Sequence, residues 1–308
     1  MKTSLLPNIP NLIVMIRPSN FGFNLQTAAS NFFQRQQNIS EAATKARHEF
    51  DCMVEKLKSS VIEVKIFDDL KNDLPDSVFS NNWMANFPDS TLVIFPMFTE
   101  NRRAEIRSDI IEWIKEKTNS VQFIDLQESI KANKFLEGTG SIVCDHQNKI
   151  AYACESVRTN IKLFESLCKK IGYEPVSFQS FDLSGNLIYH TNVMMTICDK
   201  YAMVCFDSIQ NPIERIMLQK KLEGTNHEII SLSFNQMNHF AGNCIEVLNR
   251  TGESFLLMSR SAFDSLNDDQ ISMIKKHSQI LAFDIPTIEQ IGGGSVRCMI
   301  TGLFNRNC

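Results

Sequence analysis

Three side chains that together support nucleophilic catalysis stand at separate points of the chain: Cys298, His190 and Glu137. A cysteine thiolate is a nucleophile, a nearby histidine can take and return a proton, and a carboxylate can orient the imidazole. Cys298 follows the segment Gly-Gly-Gly-Ser-Val-Arg (292–297), whose glycines permit unusual φ values and close approach of other groups. These residue types predict covalent catalysis if the fold brings them together.

Each of the three residues also has a purely structural interpretation. Cys298 could be one of nine cysteines with an inert buried thiol, and His190, between two apolar stretches, could be a hydrogen-bonded core residue. Glu137 lies among glycines before a strand, where it could belong to a turn, although Asp suits turns better than Glu. The glycine run and the adjacent Arg297 favour a reactive thiolate at Cys298.

The elements that must position these residues follow a pattern that recurs five times along the chain. Each unit has a strand, an amphipathic helix and a second strand. The predicted helices are residues 41–59, 103–117, 158–171, 212–222 and 268–276. The predicted strands are residues 11–16, 61–67, 91–95, 121–124, 150–154, 174–178, 201–206, 228–232, 254–258 and 279–283. Asn101 and Asn211 are predicted N-caps, Pro212 a first helical residue, and Gly172 a C-terminal cap.

A short further segment precedes each next unit and feeds one more strand, which makes each unit ββαβ. These segments are residues 79–83, 137–143, 190–197, 242–247 and 297–300. Five such units can bury their apolar helix faces by closing into a ring with the extra strands around a central axis. The sequence therefore predicts one closed α/β domain over residues 1–308. The residues at the starts of the inner strands should then converge at one end of the axis; they are Asn82, Glu137, His190, Asn243 and Cys298.

Composition excludes several classes of partner and cofactor. The net charge of −4 disfavours nucleic acid and anionic membrane surfaces, and no apolar run approaches the length of about 20 residues that spans a bilayer. The nine cysteines are scattered, which predicts free thiols in a cytoplasmic protein, with buried thiols at Cys144, Cys154, Cys198 and Cys205. The six histidines lack metal-ligand spacing, so we expect neither a metal nor another cofactor.

Several segments together resemble the guanidine-modifying superfamily. They are Leu-Glu-Gly-Thr-Gly (136–140), Glu-Ser-Val-Arg-Thr-Asn (155–160), Tyr-His-Thr-Asn (189–192), the segment 292–298, and Pro-Asp-Ser-Val-Phe (75–79). Arginine deiminases, dimethylarginine hydrolases and amidinotransferases belong to this superfamily and share the pentein fold, a five-bladed α/β-propeller. The start of the chain, with Met-Ile-Arg-Pro (15–18), is similar to the citrulline-utilisation branch. The resemblance covers essentially the whole chain.

The resemblance implies a role for each matching residue. Cys298 would add to the substrate carbon, His190 would protonate the leaving amine and then activate water, and Glu137 would orient the imidazole. Arg158 would pair with the α-carboxylate of a small amino-acid substrate, and Phe79 and Asn243 would line the pocket. Relatives form dimers and larger assemblies, which leaves a homodimer open. For Trp83 and Met84 we expect packing, and the segment 19–40 is the candidate mobile loop.

The chain departs from the superfamily pattern where deiminases hold the guanidinium between two aspartates. Those positions are Asn82 and Asn192, and Gly140 also replaces a common aspartate. Neutral amides suit a ureido group better than a guanidinium, because a buried cation needs charge-assisted bonds. We therefore expect hydrolysis of citrulline to ornithine, ammonia and carbon dioxide. Arginine deimination and amidino transfer remain alternatives, as does a non-catalytic pentein that binds a ligand.

Overall fold

The computed structural model describes residues 8–36, 41–70 and 73–305, and in these ranges fifteen strands form five three-stranded sheets. In chain order the strands are β1 (Leu12–Arg17), β2 (Val64–Asp68), β3 (Met84–Asn86), β4 (Thr91–Ile94), β5 (Gln122–Asp125), β6 (Val143–Asp145), β7 (Ile150–Cys154), β8 (Glu174–Phe178), β9 (Met195–Ile197), β10 (Tyr201–Val204), β11 (Glu228–Ser231), β12 (Ile245–Leu248), β13 (Ser254–Ser259), β14 (Gln279–Phe283) and β15 (Thr301–Leu303). The number and composition of the sheets confirm the five-unit prediction.

All five sheets share one topology. A central strand pairs antiparallel with a short inner strand and parallel with an outer strand, as β7 does with β6 and β8. A parallel pair needs a long crossover, which here contains the helix of each unit. The first sheet combines the two ends of the chain, because β15 pairs antiparallel with β1 and sets Leu303 opposite Leu12. This pairing closes the ring of sheets that the sequence predicted.

The helices lie in the crossovers and in short turns beside the inner strands. They are α1 (Leu25–Ala28), α2 (Ala42–Ser59), α3 (Glu100–Arg103), α4 (Ser108–Thr118), α5 (Gly138–Ser141), α6 (Ile161–Ile171), α7 (Thr191–Met194), α8 (Pro212–Gly224), α9 (Phe234–Asn238), α10 (Arg260–Ser265), α11 (Asp268–Lys275) and α12 (Pro286–Gly292). Helix α6 buries Phe164, Leu167, Cys168 and Ile171, which recur on one helical face. Three further turns are 3₁₀ helices at Ser80–Asn82, Gln127–Ala132 and Phe206–Ser208. Among the described residues, none of the helices has the length and apolar character needed to cross a membrane.

The inner strands begin later than the sequence predicted. The segments at residues 79–83, 137–143 and 190–197 each open with a helical turn before the strand starts. At Gly138 the backbone has a φ of +48°, and a Cβ there would lie 2.2 Å from the carbonyl oxygen of Asn81. Contact between neighbouring blades therefore imposes this turn, and a pattern read along a single segment does not contain that contact.

Several smaller predictions can be checked against the helix ends. Asn211 caps α8 through a bond from the Ile213 amide, and Gly172 ends α6 in the left-handed conformation, both as predicted. The prediction of Asn101 as an N-cap is wrong: it lies inside α3, and the helix predicted at 103–117 is two helices. The chain turns between the two helices, and the side chain of Arg102 in α3 pairs in the interior with that of Glu105 in the turn.

The predicted burial of cysteines and of two apolar residues can also be compared with the structure. Cys154, Cys198 and Cys205 are buried and Cys144 is partly exposed, and the eight cysteines in the described ranges carry free thiols. Trp83 and Met84 lie in an apolar core cluster with Leu12 and Ile94, which confirms packing.

Candidate active site

A cavity with about 250 Å³ of empty volume opens at the end of the ring where the inner strands begin. Asn82 precedes β3, His190 precedes β9 and Cys298 precedes β15, and all three line this cavity. Glu137 lies behind His190, and Asn243 contacts Cys298. The structure thus brings together the five residues that were expected to converge at one end of the ring.

Glu137 is fully buried and bonded on both carboxylate oxygens. Oε2 accepts from His190 Nε2 at 2.8 Å and lies 3.5 Å from Arg158 Nη1, and Oε1 accepts from the Phe98 amide at 2.9 Å. Burial alone would raise the pKa of Glu137, but the Arg158 charge and the His190 bond outweigh burial and lower it to about 2. Glu137 is therefore an ionised acceptor for the imidazole.

His190 is held as a neutral imidazole with a defined tautomer. Burial lowers its pKa to about 4, although the bond to Glu137 acts in the opposite direction. An ionised carboxylate can only accept, so the proton lies on Nε2 and Nδ1 carries a lone pair. Nδ1 lies beside Gly140, where a Cβ would approach it to 2.7 Å. His190 can therefore act as a proton acceptor through Nδ1.

Cys298 is 3% exposed and its sulfur lies among amide groups. Asn243 Nδ2 is 3.3 Å from Sγ and Asn192 Nδ2 is 3.6 Å from it. Two amide donors at this distance can stabilise a thiolate and an anionic adduct. The asparagines at 192 and 243 thus contact the predicted nucleophile directly.

The glycine run next to Cys298 makes room for an aromatic ring. A Cβ at Gly292 would lie 2.6 Å from the ring of Phe79, and a Cβ at Gly294 would lie 2.9 Å from it. Phe79 and the three glycines line the cavity together. The close approach that the sequence suggested is therefore between backbone and the predicted pocket residue Phe79.

Arg158 lines the cavity but lies before α6, outside the helix predicted to contain it. Its guanidinium donates to Ser30 Oγ at 2.7 Å and to the Thr27 oxygen at 3.0 Å, and it packs on the Tyr189 ring at 4.9 Å. Residues 19–36 of the segment predicted to be a mobile loop supply these partners, while residues 37–40 lie outside the described residues. The N-terminal segment is thus part of the cavity wall.

The sequence analysis did not predict a second buried cluster formed by Arg102, Asp76 and Glu105. Arg102 pairs with both oxygens of Glu105 at 2.8 Å and lies 4.0 Å from Asp76. Burial raises the pKa of Glu105 to about 7, against the effect of Arg102. The available sequence signal was the i,i+3 spacing of Arg102 and Glu105, which is typical of exposed helical pairs and does not indicate a buried site.

Arg102 fixes the orientation of Asn82. Arg102 Nη1 donates to Asn82 Oδ1 at 2.7 Å, and because a guanidinium has only donors, the oxygen must face it. The Asn82 NH₂ group then lies beside Gly140 and has no partner within the part of the chain that the structure describes. Asn192 Oδ1 likewise has no partner there. Between them, Asn82 and Asn192 thus offer one free amide donor and one free amide acceptor.

Within the described ranges, no group of three or more His, Cys, Asp and Glu side chains is arranged to hold a metal ion. The chemistry available in this cavity is that of the thiol, the imidazole, the carboxylate and the amides. This set can add a nucleophile to a planar carbon and move a proton to and from the leaving group.

Comparison with known proteins identifies the fold and the family. The model of the family described as eukaryotic N,N-dimethylarginine dimethylhydrolase matches residues 17–305. No curated protein matches the sequence. Several solved structures do share the fold.

Three of these structures illustrate the similarity. The product-bound N-terminal domain of the cyanobacterial arginine dihydrolase ArgZ has a TM-score of 0.73 at 15% identity, with 95% of this chain and 98% of that chain covered. Full-length apo ArgZ gives 0.73 at 15% identity, with 94% and 40% covered, so this chain spans 40% of that protein. A dimethylarginine dimethylaminohydrolase variant in adduct with S-methyl-L-thiocitrulline gives 0.65 at 15% identity, with 96% and 100% covered.

The family match covers the chain from the first strand to the last, and the structural matches show the five-bladed pentein architecture at low sequence identity. The chain therefore belongs to the N,N-dimethylarginine dimethylhydrolase family, within the guanidine-modifying superfamily of pentein hydrolases.

Proposed function

We propose that this protein is a cysteine-dependent hydrolase of a ureido substrate, with citrulline as the amino acid that the cavity fits best. The orientation of Asn82 carries this proposal. Its oxygen is occupied by Arg102, so it offers only an NH₂ group to the cavity. A ureido oxygen can accept from that group, whereas a guanidinium has only N–H donors and would meet another donor.

The charges around the cavity support an amino-acid substrate. Asp76 lines the cavity, and its Oδ1 has no hydrogen-bond partner among the described residues, so it can accept from an α-ammonium group. Arg158 also lines the cavity and supplies positive charge for an α-carboxylate, whereas the Arg102 guanidinium is already bonded to Glu105 and Asn82. A zwitterion with a neutral ureido end satisfies these groups without adding a further cation.

The reaction would proceed in two halves through a covalent thiocarbamate. The Cys298 sulfur adds to the ureido carbon, His190 Nδ1 takes the thiol proton, and the imidazolium then protonates the departing nitrogen. Glu137 stabilises the imidazolium, and the amides of Asn192 and Asn243 donate to the sulfur. Water then attacks the thiocarbamate, His190 accepts its proton, and cleavage releases a carbamate that decomposes to an amine and carbon dioxide.

The first test is product analysis with separate substrates. We expect ornithine and ammonia from citrulline, little turnover of arginine or dimethylarginine, and no ornithine from Cys298→Ala. Citrulline formed from arginine would leave Cys298 in its role but refute the ureido preference. A requirement for an added amine acceptor would identify amidino transfer, and no turnover of any of these compounds would favour a ligand-binding pentein.

A second test addresses the pocket assignment itself. The double substitution Asn82→Asp and Asn192→Asp is expected to shift the ratio of kcat/KM towards arginine, because each new carboxylate can accept from a guanidinium. Asn249→Asp is a matched control, since Asn249 is a buried asparagine after β12 that does not line this cavity. An unchanged citrulline preference in the double variant would count against these residues as substrate contacts.

A further inference from the structure

The inner strands line a second cavity at the opposite end of the ring, with about 900 Å³ of empty volume that includes open solvent. Residues that precede these strands line the candidate active site, whereas residues within and after them line the second cavity. The latter include Asn86, Asp145, Cys198, Glu246 and Phe304. Thr139 and Asn192 also line it, and Asn192 touches the Cys298 sulfur, so the two cavities share a thin wall.

Arg297 lines this second cavity, and no carboxylate among the described residues forms an ion pair with it. Its Nη1 donates to the backbone oxygen of Ile300 at 2.9 Å. Among the described residues, the guanidinium has no side-chain partner and no carboxylate at ion-pairing distance. A guanidinium has five N–H donors, so most of them remain available to the cavity. Burial lowers the pKa of Arg297 to about 10, and the groups acting in the opposite direction are the thiols of Cys298 and Cys144.

The carboxylates that line the second cavity are bonded to other groups. Asp145 accepts from the backbone and side-chain amides of Asn148 at 2.9 and 2.8 Å, and Glu246 accepts from Ser278 at 2.8 Å and from the Asp199 amide at 2.6 Å. The third lining carboxylate, Asp199, pairs with Lys200 at 2.9 Å. None of them neutralises Arg297, but their negative charge opposes the entry of highly charged anions. The cavity therefore favours a small anion with a single charge.

We propose that Arg297 binds a small monovalent oxyanion in this cavity, of the planar type that includes bicarbonate and nitrate, and that the bound anion slows the reactions of Cys298. Arg297 is only partly exposed, so its charge is incompletely solvated, and a planar oxyanion matches the two parallel N–H donors of a guanidinium. Arg297 immediately precedes Cys298 in the chain, so neutralising the guanidinium lowers the positive potential near the Cys298 sulfur.

This site does not depend on the proposed function for its binding chemistry. If the protein hydrolyses a ureido group, however, the carbon dioxide released is hydrated in water to bicarbonate, which belongs to the proposed ligand class. Bound bicarbonate would then slow the reactions of Cys298 as product accumulates.

The test measures alkylation of individual cysteines in the intact protein without any substrate. Iodoacetamide labelling is followed by peptide mass spectrometry while sulfate is replaced by nitrate or bicarbonate at constant ionic strength. We expect Cys298 labelling to slow by about threefold or more, as neutralisation of one nearby charge implies. Labelling of the exposed Cys52 should not change, which makes Cys52 an internal control for bulk salt effects.

Variants separate the second cavity from the active site. Arg297→Gln should abolish the anion response, and Arg297→Lys should weaken it because the planar fork is lost. Asp199→Asn, which removes a lining carboxylate that pairs with Lys200, should lower the nitrate concentration that gives half the effect, and should do so equally when Lys200→Gln is also present. This third variant is decisive if Arg297→Gln does not fold.

The proposal is overturned if nitrate and bicarbonate leave Cys298 labelling unchanged, if Arg297→Gln responds like the wild-type protein, or if Cys52 slows equally. An unchanged half-effect concentration in Asp199→Asn also overturns it. Because no turnover is measured, these outcomes are independent of whether citrulline is the substrate.

Discussion

Substituting Glu137→Gln should remove catalysis by changing the tautomer of His190. The carboxylate accepts from His190 Nε2 through one oxygen and from the Phe98 amide through the other. A glutamine can accept through only one atom. If the glutamine oxygen accepts from the Phe98 amide, the glutamine NH₂ group faces His190 Nε2. The imidazole proton must then move to Nδ1. The nitrogen beside Gly140 and Asn82 then ceases to be a base.

The expected magnitudes follow from this geometry. A wrong tautomer in a nucleophile–histidine–carboxylate system lowers kcat by about 10⁴. The pKa of Glu137 is about 2, compared with about 4.3 for an unperturbed glutamate, which corresponds to roughly 3 kcal/mol of stability at neutral pH. The opposite orientation of the glutamine would set its NH₂ group against the Phe98 N–H and leave buried donors unpaired.

The assay combines kcat/KM for citrulline with urea unfolding. Glu49→Gln is the matched control, because Glu49 is another buried glutamate that accepts from two backbone amides and has no contact with His190. We expect Glu49→Gln to keep its activity and Glu137→Gln to lose it at a similar yield of folded protein. If Glu137→Gln retained activity within about tenfold of the wild type, the assigned tautomer and base would be wrong.

Three further predictions test the surroundings of the base. Gly140→Ala should abolish turnover, because its Cβ would lie 2.5 Å from Asn82 Nδ2 and 2.7 Å from His190 Nδ1. Gly224→Ala is the folding control and should retain turnover, because Gly224 has open space around it and no positive φ. The kcat/KM profile should have no acid limb near pH 6.5, because burial lowers the pKa of His190 to about 4; a limb at 6.5 would refute a buried neutral base. Arg102→Lys should reduce citrulline selectivity, since a lysine lacks the fork that bonds Glu105 and Asn82 together; unchanged selectivity would contradict the role of Arg102.

Folding stability should also depend on pH through the same pair. Burial keeps His190 neutral, so between about pH 4 and 6.5 the unfolded chain binds more protons than the folded one. The pKa of Glu137 is lowered to about 2, so its contribution is present above its unfolded pKa and is lost as pH falls towards 2. The free energy of unfolding should therefore rise with pH, through Glu137 between about pH 2 and 4.3 and through His190 between about pH 4 and 6.5, which urea unfolding at several pH values can measure.

The repeated units were predictable because their signals are local. Strands β7, β8 and β14 have the predicted bounds, since β7 and β14 are largely apolar runs and Gly172 marks the turn before β8. The inner strands begin later than predicted, because contacts between units, such as Gly138 against the Asn81 oxygen, determine where they start. The direct bond between His190 and Glu137 could not be predicted from the sequence, because these residues are 53 positions apart in the chain and only the fold brings them together.

The buried Arg102 cluster could not be predicted for a different reason. Arg102 and Glu105 look like a solvent-exposed helical pair, and nothing local indicates that the turn after α3 directs them inward. Asn82 was singled out because it is neutral where related enzymes have a carboxylate. Its bond to Arg102 adds a fact that the sequence lacks, namely which end of the amide faces the cavity.

The two asparagines therefore contribute to selectivity in different ways. At position 82 a carboxylate would sit beside Arg102, which would neutralise much of its charge, so Asn82→Asp mainly supplies an acceptor. At position 192 a carboxylate would lie next to the Cys298 sulfur, where the amide is now 3.6 Å away. Two like charges at that distance disfavour the thiolate unless a cationic substrate lies between them. Asn192→Asp alone should thus lose citrulline turnover, and adding Asn82→Asp should restore activity for arginine rather than for citrulline.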